Sequence, residues 1–109
     1  MRKDTKACDF SRTVKREIAD RDCFDGWPCC IRCGRPAPEY IAYSNAHFIP
    51  RSQGGLGIAR NGLTLCPLCH RRYDQTHHRA EDRAYYEEYL KSIYPDWDEK
   101  EVRYQKDGQ

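Results

Sequence analysis

The chain has 109 residues, 39% of them apolar and 33% charged, with a formal net charge of +2 and a mean hydropathy of −1.00. That length admits one domain and excludes two ordinary ones. The apolar supply is too thin for a core of this size to stand without a disulfide or metal staple. No apolar run approaches the roughly 20 residues of a membrane span, so no membrane partner is expected.

Arg2, Lys3, Lys6, Arg12, Lys15 and Arg16 load the front of the chain, and acidic residues gather in the last third. The asymmetry suits one face that meets a polyanion, and equally a solvated surface of mixed sign. The leading stretch Met1-Arg2-Lys3-Asp4-Thr5 runs into polar sequence with no apolar signal segment, which predicts a cytoplasmic chain.

Residues 1–10 are polar and read as a flexible segment. Ser11 then offers an N-cap for a helix to about residue 22, with Val14 and Ile18 one turn apart on its buried side. Asp25-Gly26 and Trp27-Pro28 mark a turn. Residues 40–49, rich in aromatic and β-branched side chains, predict a strand that Pro50 ends. Ser52-Gln53-Gly54-Gly55-Leu56-Gly57 reads as a flexible loop and Asn61-Gly62 as a turn. Leu63-Thr64-Leu65 is a short second strand. Cys66-Pro67 opens a helix to about residue 76, with proline where its missing N–H is harmless. A further helix over residues 80–94 carries two apolar rows, Tyr85/Tyr89/Ile93 and Tyr86/Leu90/Tyr94, which at that spacing predict core packing. Asp96-Trp97-Asp98-Glu99 resembles a capping box for a last short helix.

Four of the seven cysteines form two Cys-x-x-Cys knuckles, Cys30/Cys33 and Cys66/Cys69. Such a turn sets two thiolates on one ion, and two turns complete the tetrahedral shell that zinc prefers. A structural Zn2+ on Cys30, Cys33, Cys66 and Cys69 is therefore expected. Cys29 competes for the first knuckle at a less usual spacing, and Cys8 and Cys23 read as buried or free thiols. Two disulfides or a redox pair are the competing readings; a cytoplasmic chain without a thioredoxin-like pattern argues against both.

Between the knuckles lies Asn45-Ala46-His47-Phe48-Ile49-Pro50-Arg51-Ser52-Gln53-Gly54-Gly55, then Asn61-Gly62-Leu63-Thr64-Leu65-Cys66, with His70 directly after Cys69. This arrangement resembles the HNH endonuclease family, in its version with framing zinc knuckles, over residues 12–77. The resemblance implies an α+β fold: a small zinc-stapled ββα-metal (His-Me finger) domain with flanking helices. In its terms residues 11–79 are the nuclease domain and residues 80–109 a C-terminal helical extension packed on it. It also implies a metal-dependent DNA endonuclease with His47 as general base, Asn61 holding the loop and the imidazole, and His70 as ligand of a catalytic divalent ion. Mg2+, Mn2+, Ni2+ or Zn2+ would serve, with Asp74 one turn further as a second ligand. An imidazole with an ordinary pKa near 6.5 suits the base, and a hard carboxylate suits magnesium or manganese. DNA is the expected partner, with Arg51, Arg71, Arg72, Lys15 and Arg16 as candidate phosphate contacts.

Many members of the family carry an acidic residue or a histidine before the catalytic histidine, whereas here Ala46 stands there. That departure leaves a non-catalytic zinc-knuckle DNA-binding module as the competing expectation, and a protein-interaction domain using the tyrosine-rich helix as a more distant one. Small proteins of this appearance are often carried by phages or mobile elements, in a bacterial or phage-infected host cell. That setting admits a homodimer or a phage or host DNA-processing partner.

Overall fold

In the computed structural model of the protein, residues 5–38 and 43–104 are described. Helix α2 (Arg12–Arg21) begins where the Ser11 hydroxyl accepts the Val14 amide at 3.1 Å, and it buries Ile18 completely. Ahead of α2 the chain makes one helical turn, α1 (Thr5–Cys8). Of residues 1–10, which read as flexible in the sequence, residues 5–8 form this turn, and residues 1–4 lie outside the described ones. The physical reason is local: Cys8 is buried and Phe10 finds an aromatic partner, so this polar stretch carries two side chains worth ordering.

Strands β1 (Cys23–Phe24) and β2 (Trp27–Pro28) form a two-residue hairpin over Asp25-Gly26, both of which take positive φ, at 55° and 80°. Such backbone at both central positions matches the twist of paired strands. The strand expected over residues 40–49 is confined to β3 (Ser44–His47); residues 40–42 lie outside the described ones. It pairs antiparallel with β4 (Gly62–Leu65), with Ala46 opposite Leu63 and His47 opposite Gly62. Phe48 and Ile49 leave the strand and turn into the core, each no more than 1% exposed.

Helix α3 (Pro67–Gln75) follows β4 directly, with Cys66 as N-cap and proline in its first turn. Together β3, β4 and α3 make the expected ββα unit. Helix α4 (Arg79–Ile93) closes the core over it. Of its two rows, Tyr86 and Leu90 are wholly buried, whereas Tyr85 stays 44% exposed. Tyr86 meets Tyr73 of α3 edge to face at 4.9 Å. Asp82, fully buried, receives Arg72 at 2.9 Å and Arg32 at 3.4 Å, tying α4 to α3 and to the first knuckle. A last 3-10 turn (Glu99–Val102) carries the Asp98/Glu101 capping box and buries Val102 beneath the ββα unit, beside Trp97, which packs on Phe48. The result is an α+β fold with two small antiparallel sheets.

The loop between β3 and β4 is not the flexible one its glycines suggest. Arg51–Gln53 form a 3-10 turn closed by Gly54, at φ 86°, and the Gly55 amide bonds the Pro50 carbonyl at 2.9 Å. A Cβ on Gly55 would lie 1.6 Å from the Ile49 carbonyl oxygen. Glycine serves close packing here, not mobility.

Candidate active site

The two knuckles converge. Cys30, Cys33, Cys66 and Cys69 bring their sulfurs within 4.8 Å of one another. A tetrahedron with Zn–S bonds of the usual length has edges of about 3.8 Å, and Cys33 Sγ lies 3.8 Å from Cys66 Sγ. The donor set fits zinc. Burial, and the neighbouring thiols of Cys66 and Cys30, push the Cys69 thiol far up, and a bound cation would favour the thiolates instead. Cys29 stands outside it, its thiol donating to the Trp27 carbonyl at 3.4 Å.

A cleft of about 460 Å3 is lined by His47, Arg51, His70, Asp74 and Arg79 among others. The end of β3 supplies His47; α3 supplies His70 and Asp74, which share a helix face at i and i+4. His70 Nε2 lies 3.0 Å from Asp74 Oδ2, the separation of two neighbouring ligands around an octahedral ion with bonds of about 2.1 Å. His70 Nδ1 sits 2.7 Å from the Ser44 hydroxyl. With Nδ1–H donated there, the Nε2 lone pair is free for an ion, the usual support for a ligating histidine.

The His47 imidazole is gripped from the N-terminal side. Its Nε2 lies 2.7 Å from the Cys8 carbonyl oxygen, which can only accept, so Nε2 carries the proton and Nδ1 the lone pair. Phe10 stacks on the ring at 4.2 Å and 22°. Burial lowers the His47 pKa below the ordinary value; the Cys8 carbonyl, Asp9 and Asp74 raise it, and Arg51 lowers it further. The ring is therefore neutral at pH 7, with a base nitrogen available.

Asn61 lies away from the cleft, wholly buried. Its side-chain oxygen accepts the Ile49 amide at 2.8 Å, and its NH2 donates to the Leu56 and Ile49 carbonyls at 2.9 and 3.2 Å. Those bonds clamp the two ends of the loop that carries Arg51; the imidazole is oriented by Cys8 instead. Asn61→Ala would orphan three buried backbone groups and should lower stability by about 2–4 kcal/mol, read as a shifted urea midpoint.

The other candidate contacts scatter. Arg51 lines the cleft and pairs with Asp9 at 2.6 Å. Arg72 turns the other way, drawn to Asp82 and Glu81, because a buried carboxylate holds a guanidinium more strongly than solvent does. Arg71, Lys15 and Arg16 are exposed, outside the cleft lining. Sequence reasoning missed Arg79, whose guanidinium lies 4.1 Å over the Tyr73 ring, donates to the Tyr73 carbonyl at 2.9 Å and reaches Asp74 at 3.7 Å. An arginine at the start of a helix gives no sign of which cleft it faces.

Residues 30–76, the stretch holding both knuckles, β3, β4 and α3, match the family described as HNH endonuclease. This stretch is similar to HNH endonuclease domains. The chain is also 43% identical over 47 residues to the type IV methyl-directed restriction enzyme EcoKMcrA of Escherichia coli (strain K12), a match covering 38% of this chain and 17% of that enzyme. The HNH match spans residues 30–76, so Arg79, which lines the cleft, and Cys8 and Phe10, which contact the His47 ring, all come from outside it. Among the described residues no helix is long and apolar enough to cross a membrane.

Proposed function

We propose that this chain is a metal-dependent DNA endonuclease that hydrolyses phosphodiester bonds in the cleft between β3 and α3. The observation that carries this reading is the convergence of His47, His70 and Asp74 on one cleft beside two arginines, inside a domain of an endonuclease family. His47 Nδ1 takes the proton of a water molecule as its oxygen attacks phosphorus. His70 and Asp74 would hold a divalent ion, with Mg2+ and Mn2+ favoured by the carboxylate and Ni2+ or Zn2+ by the imidazole. When bound, that ion supplies positive charge against the phosphate and the leaving 3′ oxygen. Arg51 and Arg79 hold the flanking phosphates. A zinc held by Cys30, Cys33, Cys66 and Cys69 would have all four positions filled by protein and would serve the fold.

The competing reading is a zinc-stapled DNA-binding module that does not cut. In its favour, Ala46 is buried in the core at 1% exposure, leaving the ion His70 and Asp74 as ligands from the cleft. The matched share of the restriction enzyme is too small to carry over that enzyme's choice of target. Plasmid nicking with each divalent metal decides. Wild type should cut only with metal added, and His70→Ala should need a metal concentration raised on the order of 10–100-fold. DNA retained on a gel but uncut with every metal would favour the binding module.

A further inference from the structure

The segment preceding α2 has four separate attachments to the cleft side of the domain. The Ala7 carbonyl accepts the Gly57 amide at 2.9 Å. The Cys8 carbonyl accepts His47 Nε2, Asp9 pairs with Arg51, and Phe10 covers the imidazole face. The fit is close: a Cβ on Gly57 would lie 2.1 Å from the Asp9 carbonyl oxygen and 2.9 Å from the Phe10 amide nitrogen. Gly57 lies within the HNH match, whereas residues 7–10 lie outside it. A segment held only for packing has no need to commit a backbone carbonyl to the one titratable ring at the end of β3.

We propose that residues 7–10 form a strap belonging to the active site, which sets the tautomer of His47 through the Cys8 carbonyl and shields its ring with Phe10. The catalytic consequence rests on His47 being the base. Phe10 is a positioning residue, because it acts through His47 and not on substrate. With Nε2–H tied to a carbonyl, the imidazole cannot rotate or exchange tautomers without breaking that bond, so Nδ1 presents its lone pair constantly. The strap also touches the substrate side, since Asp9 pairs with Arg51, one of the two arginines assigned to phosphate. The charged groups facing the ring are Asp9 from the strap, Arg51 from the loop and Asp74 from α3. Removing Phe10 relieves burial while leaving all three in place, so the His47 titration moves upward towards the ordinary histidine value.

The test uses the zinc-loaded, 15N-labelled full chain and needs no cleavage for its first readout. Long-range imidazole 1H–15N correlations should show wild-type His47 protonated at Nε2 alone, titrating below the ordinary histidine value. In Phe10→Ala the titration midpoint should rise, with Phe10→Leu falling between the two. Gly57→Ala, which pushes the strap away with Phe10 intact, should mix the two tautomers. If the protein cuts, Phe10→Ala should lower kcat about tenfold with little change in KM and move the acid limb of the pH profile up with the titration. A wild-type His47 protonated at Nδ1 would overturn the proposal. So would an unchanged midpoint in folded Phe10 variants together with an unchanged tautomer in Gly57→Ala. Should wild type fail to cut with any metal, the nuclease reading falls, while the spectra still decide whether the strap holds the ring.

Discussion

His47→Ala should abolish most DNA cleavage while leaving the fold and DNA affinity intact, lowering the rate constant on the order of 10²–10⁴-fold, the usual contribution of a general base. The imidazole at the end of β3 is half-buried and anchored to a backbone carbonyl, so its loss removes a proton acceptor and little packing. Single-turnover nicking at saturating metal measures this directly. Cutting at an equal rate by the variant would remove His47 from its role.

The same residue sets the pH dependence. As the proposed base His47 acts in its neutral form, and its pKa lies below the ordinary value because burial disfavours the charge. Activity should therefore be level through neutrality and fall only at a pH below about 6.5, the usual histidine midpoint. The fall comes on the acid side because protonation removes the lone pair.

The other large effect concerns the staple. Stripping zinc with a strong chelator, or Cys66→Ala, should unfold the domain outright, seen as loss of helical circular dichroism and a red shift of Trp97 emission. The magnitudes decide this outcome. A structural zinc in a small finger contributes on the order of 10 kcal/mol or more, whereas a domain of this size is stable by only about 5–15 kcal/mol in all. The apolar core is built around the site, with Cys30 and Cys66 themselves buried among Leu63, Leu65 and Tyr86. Cys29→Ser should keep one zinc per chain and a near-native melting temperature, since that thiol lies outside the cluster. Zinc lost in Cys29→Ser and kept in Cys30→Ser would reverse the assignment of the first knuckle.

Both effects draw on features of very different visibility in the chain. The Cys-x-x-Cys spacings and the periodic rows of α4 are local patterns, and local geometry converts them to structure with little interference. The caps at Ser11 and Asp98 are of the same kind, because the bonds they make reach only three residues. The Gly54-Gly55 stretch misled for the opposite reason. Glycine permits both mobility and close approach, and only the Ile49 carbonyl, which would lie 1.6 Å from a Cβ added to Gly55, says which is used.

What the amino-acid order carried by itself was the pairing of the four cysteines and the strand, strand, helix succession, since each follows from local spacing along a turn, a strand or a helix; His47, His70 and Asp74 became candidates through the resemblance to the HNH family. Only the tertiary structure decided that Cys8 and Phe10 hold the His47 ring, that Arg79 enters the cleft and that Asp82 draws Arg72 away from it. The contacts to His47 join residues far apart in the chain, the others join α3 to α4, and two of them run through backbone carbonyls, which every residue carries and no side chain reveals.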